Sequence, residues 1–353
     1  MNEEMGLMNA RCEGSELLPE QESGGGLKAG QSGFSADALI LDAEAEVTKI
    51  TQAIREQVLK RLRRRGVVIG LSGGIDSSVV AALCVRALGP KRVFGLYTPE
   101  KDSEPDSLRL GRLLADSLGI DGAVEDIAPL LAAAGCYRRR DECIREVFPE
   151  YGPGYKSKMV LPSALESHGY NVHYLVIQSP DGKQQRARLP LQGFLGIVAA
   201  TNMKQRTRKQ IEYYHADRLN FAVAGTPNRL EYDQGFFVKN GDGAADIKPI
   251  AHLYKSQVYQ LAEYLGVPEE IRRRKPTTDT YSLPQTQEEF FFSVPLATLD
   301  LCLYALNQGV GVREAAAATG LTEEHVERVY RDIQGKRQSG RYQHEPPLLV
   351  EVV

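Results

Sequence analysis

The sequence predicts an α/β fold: a doubly wound, mostly parallel sheet with helices on both faces, plus a β-hairpin insertion and a helical C-terminal part. Three observations carry that expectation. Short apolar runs alternate with stretches of helical hydrophobic spacing, the pattern of βα units. A Gly/Ser turn joins the first such run directly to an apolar helix. A chain of 353 residues, 42% hydrophobic and 25% charged, can bury a sizeable core.

Residues 1–35 contain Gly24-Gly25-Gly26, several Ser and Glu and little periodicity, so they are expected to be disordered, with the folded domain over 36–353. Val47, Ile50, Ile54, Val58 and Leu62 recur at helical spacing. The basic end of that helix, Lys60 to Arg65, reads as a solvated last turn that complements the helix dipole. Val67 to Leu71 is an apolar run fit for a buried parallel strand, and a helix is expected over Ser77 to Leu88. A second strand follows over Arg92 to Tyr97, a second helix over Asp106 to Leu118 and a third strand over Ala123 to Ile127. An insertion at about 135–191 breaks the rhythm. Asn171 to Ile177 and Gln184 to Leu189 alternate around the turn signal Pro180-Asp181-Gly182, which predicts a hairpin. A helix is expected around Phe194 to Asp217 and a short strand over Phe221 to Ala224; the chain is mainly helical from Tyr254, with the C-terminal part from about 295.

Composition narrows the function classes. Lys plus Arg number 43 and Asp plus Glu 46, a net charge of −3, against a dedicated nucleic-acid binder. No apolar run approaches the roughly 18–20 residues of a membrane helix, and no signal peptide is visible. Five scattered cysteines, Cys12, Cys84, Cys136, Cys143 and Cys302, suit neither a disulfide scaffold nor a zinc site, and point to a reducing cytoplasm.

The chemistry concentrates in Gly70-Leu71-Ser72-Gly73-Gly74-Ile75-Asp76-Ser77-Ser78. Glycines let a backbone bend tightly and approach an anion, and the N–H groups at the start of the following helix face a phosphate. Ser72, Ser77 and Ser78 add hydroxyls. Asp76 repels an anion, so its natural role is to hold a cation that bridges phosphates. Neither a Walker A loop nor the dinucleotide Gly-x-Gly-x-x-Gly is present. The plain alternative is a Gly/Ser turn before a helix.

This loop resembles the Ser-Gly-Gly-x-Asp-Ser pyrophosphate loop of the adenine-nucleotide α-hydrolase-like superfamily. Further stretches narrow the resemblance. They are Gly225-Thr226-Pro227-Asn228-Arg229-Leu230-Glu231, Gly235 to Asp246, and Leu253-Tyr254-Lys255-Ser256-Gln257, with Asn202 to Arg208 and Pro276-Thr277-Thr278-Asp279. Together they resemble the NAD synthase family over roughly 45–130 and 195–340. The resemblance implies an ammonia-dependent ligase that uses ATP and Mg²⁺ to adenylate the carboxylate of deamido-NAD, after which ammonia displaces AMP. It implies Asp76 and Glu231 as metal ligands, with Asp76 and Lys255 at the reacting groups. Gly70 to Ser77, Thr226, Lys255 and Thr277 would hold ATP. Arg206, Lys239, Asp242, Asp246 and Lys336 would serve the substrate. It also implies a homodimer with substrate near the subunit interface. The residues before the first helix are too few for a glutaminase domain, so ammonia arrives free or from a separate glutaminase.

Plain alternatives stand beside these roles. Lys239 and Lys255 read alone are surface lysines, Asp242 between glycines is a turn residue, and Glu231 can pair with Arg229. Arg206 and Arg208 sit two apart on a helix and point about 200° apart, so one contact cannot use both; Arg206 is the expected substrate residue. Gly335 stands where the family often has histidine, Pro227 where it has Gly or Asp, and the insertion exceeds the usual connection. These departures motivate a second reading, an amide synthetase acting on a different carboxylic acid. The helix-turn-helix-like stretch Val312 to Arg331 motivates a third, a nucleic-acid protein, against an ordinary helical hairpin. A fourth is a non-catalytic nucleotide binder, against which intact Asp76, Glu231, Lys255 and Thr277 argue.

Overall fold

The computed structural model describes residues 33–162, 173–278 and 280–351. The expected disordered segment therefore lies outside the described residues except at 33–35. Phe34 already stacks on Tyr304, with ring centroids 5.9 Å apart, and Ser35 accepts from the Asp37 N–H to cap a 3₁₀ turn.

Helix α1 (Ala43–Arg55) starts at an Asp42 cap and runs on through a wide turn to Arg61. Then come β1 (Val67–Gly70), α2 (Ile75–Leu88), β2 (Val93–Tyr97), α3 (Pro105–Leu118) and β3 (Asp121–Val124). Next are α4 (Ala128–Ala133), α5 (Cys136–Arg145), β4 (Lys156–Val160), β5 (Tyr174–Gln178) and β6 (Gln184–Arg188). The long α6 (Leu191–Leu219) leads to β7 (Ala222–Val223), α7 (Arg229–Gln234), α8 (Lys255–Tyr264) and α9 (Glu269–Arg273). Three helices close the chain: α10 (Leu296–Asn307), α11 (Val312–Thr319) and α12 (Glu323–His344).

The central sheet is wholly parallel, in the order β3-β2-β1-β7, with Val67 beside both Val93 and Ala222. Alternation along β1 divides its apolar run between two faces. Val67, Ile69 and Leu71 pack with residues of α1, α2, α3 and α8, whereas Val68 packs with Leu96, Val223 and Ala216 of α6. Each such buried side chain contributes about 1.5–3 kcal/mol. Both faces of β1 are covered, so it reads as a continuous apolar run. The third strand, expected over Ala123 to Ile127, forms instead at Asp121–Val124, on the sheet edge where three of its four residues are exposed and no apolar run marks it.

The insertion forms a second, antiparallel sheet, β4-β5-β6. The expected hairpin is β5–β6, closed where Gly182 adopts a φ of +86° and its N–H donates to the Ser179 carbonyl at 2.9 Å. β4 was not expected: its inward positions are Ser157 and Met159, and lysines flank Ser157, so the alternation has no apolar signature. Ser157 fits inside because its hydroxyl meets Tyr151 Oη at 3.1 Å and its N–H donates to Ser282 Oγ at 2.8 Å. Met159, Leu175 and Ile177 join Ile144 of α5, Ile197 of α6 and Tyr281 in one core.

Another core joins Leu230 of α7 to Leu299 and Leu303 of α10 and Val329 and Ile333 of α12. The helix-turn-helix-like stretch is a helical hairpin whose apolar residues, Ala315, Ala316 and Val326, close on Ala305 of α10. Among the described residues no helix is long and apolar enough to cross a membrane.

Candidate active site

The loop after β1 bends where the sequence places its glycines. Gly73 has a φ of +71°, and a Cβ there would lie 2.8 Å from the Ser107 carbonyl oxygen and 2.9 Å from Leu110 Cβ. Ser72 Oγ accepts from the Gly74 N–H at 3.3 Å and sits 3.3 Å from Ser77 Oγ. Ser77 and Ser78 donate back to the Gly74 carbonyl at 3.1 and 2.8 Å, which fixes the first turn of α2. Arg274 clamps the loop from outside, donating to the Gly73 carbonyl at 3.3 Å and pairing with Glu104.

Asp76, in the first turn of α2, is the hub. It pairs with Lys255 Nζ and accepts from Asn228 Nδ2 at 3.0 Å. Asn228 caps α7 in a reciprocal box: its side chain accepts from the Glu231 N–H at 3.2 Å and its own N–H donates to Glu231 Oε2 at 3.1 Å. The other Glu231 oxygen accepts from Gln287 Nε2 at 2.9 Å. One asparagine therefore holds both carboxylates expected to bind metal. Burial, and then the Asp76 charge, push the Glu231 pKa up to about 7. Burial opposes the charge on Lys255, but Asp76 and Glu231 outweigh it and raise the lysine pKa. Two carboxylates joined through one asparagine present the oxygen ligands that a hard divalent cation takes.

A cavity of about 1440 Å³ opens in front of this hub. Of the residues singled out in the sequence, Gly70, Leu71, Ser72, Gly74, Ile75, Asp76, Ser77, Thr226, Glu231, Asp242, Thr277 and Lys336 line it. Lys255 lies behind Asp76, 1% exposed. Asp242 accepts from the Val238 N–H at 2.8 Å, and burial raises its pKa. Lys336 reaches Asp332 Oδ2 at 2.5 Å and the Phe292 carbonyl at 3.3 Å, and burial lowers its pKa.

Three expected substrate residues stand apart from the cavity wall. Arg206 is exposed and donates to the Lys239 carbonyl at 3.2 Å. Lys239 Nζ donates to the Tyr342 and Glu345 carbonyls at 3.0 and 2.6 Å, closing the end of α12. Asp246 accepts from the Val223 N–H at 2.7 Å and from Tyr213 Oη at 3.3 Å. In their place Arg208 lines the cavity beside Thr98 and Ser103, with the buried pair Lys209–Glu212 at 2.6 Å. Arg274 and Gln287 were also missed. The run Arg272 to Lys275 just before Pro276 was the available signal for Arg274; Gln287 had none.

Known proteins resemble this chain over most of its length. The family model described as NAD synthase matches residues 46–146 and 166–344. A curated relative from Rhizobium rhizogenes, named NH(3)-dependent NAD(+) synthetase, is 64% identical over 322 residues, covering 91% of this chain and 97% of that protein. One of the same name from Rhizobium meliloti is 64% identical over 320 residues, 91% and 96%. Among solved structures, NMN synthetase from Francisella tularensis superposes with a TM-score of 0.61 at 22% identity, over 89% of this chain and 100% of that one. An NH3-dependent NAD synthetase from Campylobacter jejuni gives 0.58 at 24%, over 88% and 100%; both likenesses speak to fold alone.

Proposed function

The chain belongs to the NAD synthase family, and from that premise we propose that it converts deamido-NAD, ATP and ammonia to NAD, AMP and pyrophosphate. The observation that carries the reading is the Asp76–Asn228–Glu231–Lys255 constellation at the mouth of the glycine loop, facing a cavity large enough for two substrates.

In this reading the deamido-NAD carboxylate attacks the α-phosphorus of ATP, pyrophosphate leaves, and ammonia then attacks the acyl carbon and expels AMP. The residues bind and orient; none forms a covalent intermediate. The loop Gly70 to Ser77 cradles phosphates with backbone N–H and hydroxyl groups, and Thr226 and Thr277 close on the same side. Lys255 fixes the Asp76 carboxylate and adds positive charge beneath the phosphates. Asp76 and Glu231 would hold Mg²⁺, which neutralises phosphate charge when bound. Asp242 and Lys336 take the substrate end of the cavity. The reading keeps Arg206, Lys239 and Asp246 for the dinucleotide and includes the homodimer, both as the family resemblance implies. It also places the enzyme in the cytoplasm and leaves ammonia free or delivered by a separate glutaminase. A different carboxylic acid has no specific support. The relatives' matched length of 322 residues is too long to omit the insertion, so that departure does not separate this chain from them.

The test is direct. Purified protein with ATP, Mg²⁺, ammonium and deamido-NAD should release NAD and pyrophosphate in equal amounts. Asp76→Ala should lower the rate by about a hundredfold or more. Protein that binds ATP–Mg²⁺ yet forms no NAD would sink the reading.

A further inference from the structure

One buried acid beside the site is outside every motif used so far. Asp300 lies on α10, fully buried, and its two oxygens accept from consecutive backbone N–H groups at the start of α8: Lys255 N at 3.0 Å and Ser256 N at 2.6 Å. These are groups a helix leaves without an internal partner, at its positive end. The first residue of that turn is Lys255, whose side chain ends on Asp76. Asp300 thus sits at one end of a chain of contacts, and the phosphate-loop carboxylate at the other.

The neighbours of Asp300 explain why it is aimed so firmly. Leu299 and Leu303, on the same helix, pack in one core with Leu230, next to Glu231 on α7. α10 therefore braces two of the three helices that supply the charged hub, α7 through apolar contact and α8 through Asp300. An acid with no exposed surface is costly to bury. Apolar contacts already join α10 to α7, and the carboxylate adds what such contacts do not, two directional bonds that fix the first turn of α8.

We propose that Asp300 is a positioning residue for adenylation, holding the first turn of α8 so that Lys255 meets Asp76 beneath the phosphates. This rests on the function proposed above. The isostere Asp300→Asn keeps one acceptor and turns an N–H₂ toward a backbone N–H. Its kcat for NAD formation should fall about tenfold to a hundredfold with KM for ATP within about twofold, because the lysine acts on charge that develops during the reaction. Pyrophosphate–ATP exchange with deamido-NAD and no ammonia should fall by the same factor, since it reads adenylation alone. Val326→Ala, which weakens the separate core that α10 shares with α11 and α12, should lower Tm comparably while keeping kcat within about twofold.

Hydrogen exchange at the Lys255 and Ser256 amides should quicken in Asp300→Asn and stay slow in Val326→Ala. Should Asp300→Asn fail to fold, Asp300→Ser removes the charge without opposing two donors and carries the same readouts. Asp300→Asn that loses stability but matches Val326→Ala in exchange rate and kcat overturns the proposal. If the wild type makes no NAD, the function falls, and amide exchange, which needs no substrate, still decides whether Asp300 anchors that turn.

Discussion

Arg206 and Arg208 show how far a single position can decide a role. They share a helix and a residue type, and 200° of rotation separates them. Arg208 faces the cavity beside Thr98, and Arg206 is exposed beside the Lys239 carbonyl. Arg208→Ala should raise KM for ATP about tenfold or more, the loss expected for a charge-assisted contact. Arg206→Ala should leave KM for ATP unchanged and raise KM for deamido-NAD. Steady-state kinetics with each substrate varied separates them, and identical effects would remove the distinction. His173 makes a different point. It packs on Phe194 at 4.3 Å between ring centroids, and burial lowers its pKa from 6.5 to about 4. Between those values the unfolded chain takes up a proton that the folded chain refuses, so stability falls as pH drops from 6.5 to 4 and is unaffected above that window. His173→Phe should flatten that part of the Tm-against-pH curve, and coincident slopes for variant and wild type would refute the burial argument.

At the scale of elements, legibility followed how local the physics is. β1, its loop and α2 were readable because an apolar run, glycines and a helix lie consecutively in the chain and each obeys its own rule. The β5–β6 hairpin was readable from a turn residue and alternation. β4 was hidden because its inward serine is satisfied by hydrogen bonds with Tyr151, in the loop before it, and with Ser282, 125 residues away, and a local hydropathy pattern registers neither. α5 was hidden for a related reason. Its run of arginines looks like surface, yet Arg140 is buried against Asp102. The site divides the same way. Asp76 and Glu231 stand in contiguous motifs, and the structure brings them together through Asn228. Asp300 acts on α8 from 45 residues away and Gln287 on Glu231 from 56, and neither leaves a local trace.

For the whole molecule the question is whether the insertion is an appendage or part of one cooperative unit. Lys204 of α6 answers it. Fully buried, its Nζ reaches Glu100 Oε1 at 2.9 Å, Asp102 Oδ2 at 2.7 Å and the Thr280 carbonyl at 2.7 Å. Arg140 of α5 pairs with the same Asp102, and Tyr137 donates to Glu100 Oε2 at 2.9 Å. Two cations and two carboxylates thus join the insertion, the segment after β2, the longest helix and the segment following Thr277. Such a network is weak evidence for stability as a whole, because desolvation offsets its attraction, but removing one member leaves charge buried alone. Lys204→Met should therefore cost about 3–5 kcal/mol. Lys204→Met combined with Glu100→Gln should recover part of that loss, since one stranded charge goes with it. If the insertion folds with the sheet, both variants unfold in one denaturant transition, with amides of β1 and β5 losing protection together. Separate loss of β5 protection, with β1 unchanged, would show that the network binds only the insertion to itself. The linkage would then have to come from the core that Ile197 of α6 shares with Leu175 and Ile177, a contact that Ile197→Ala would weaken without stranding any charge.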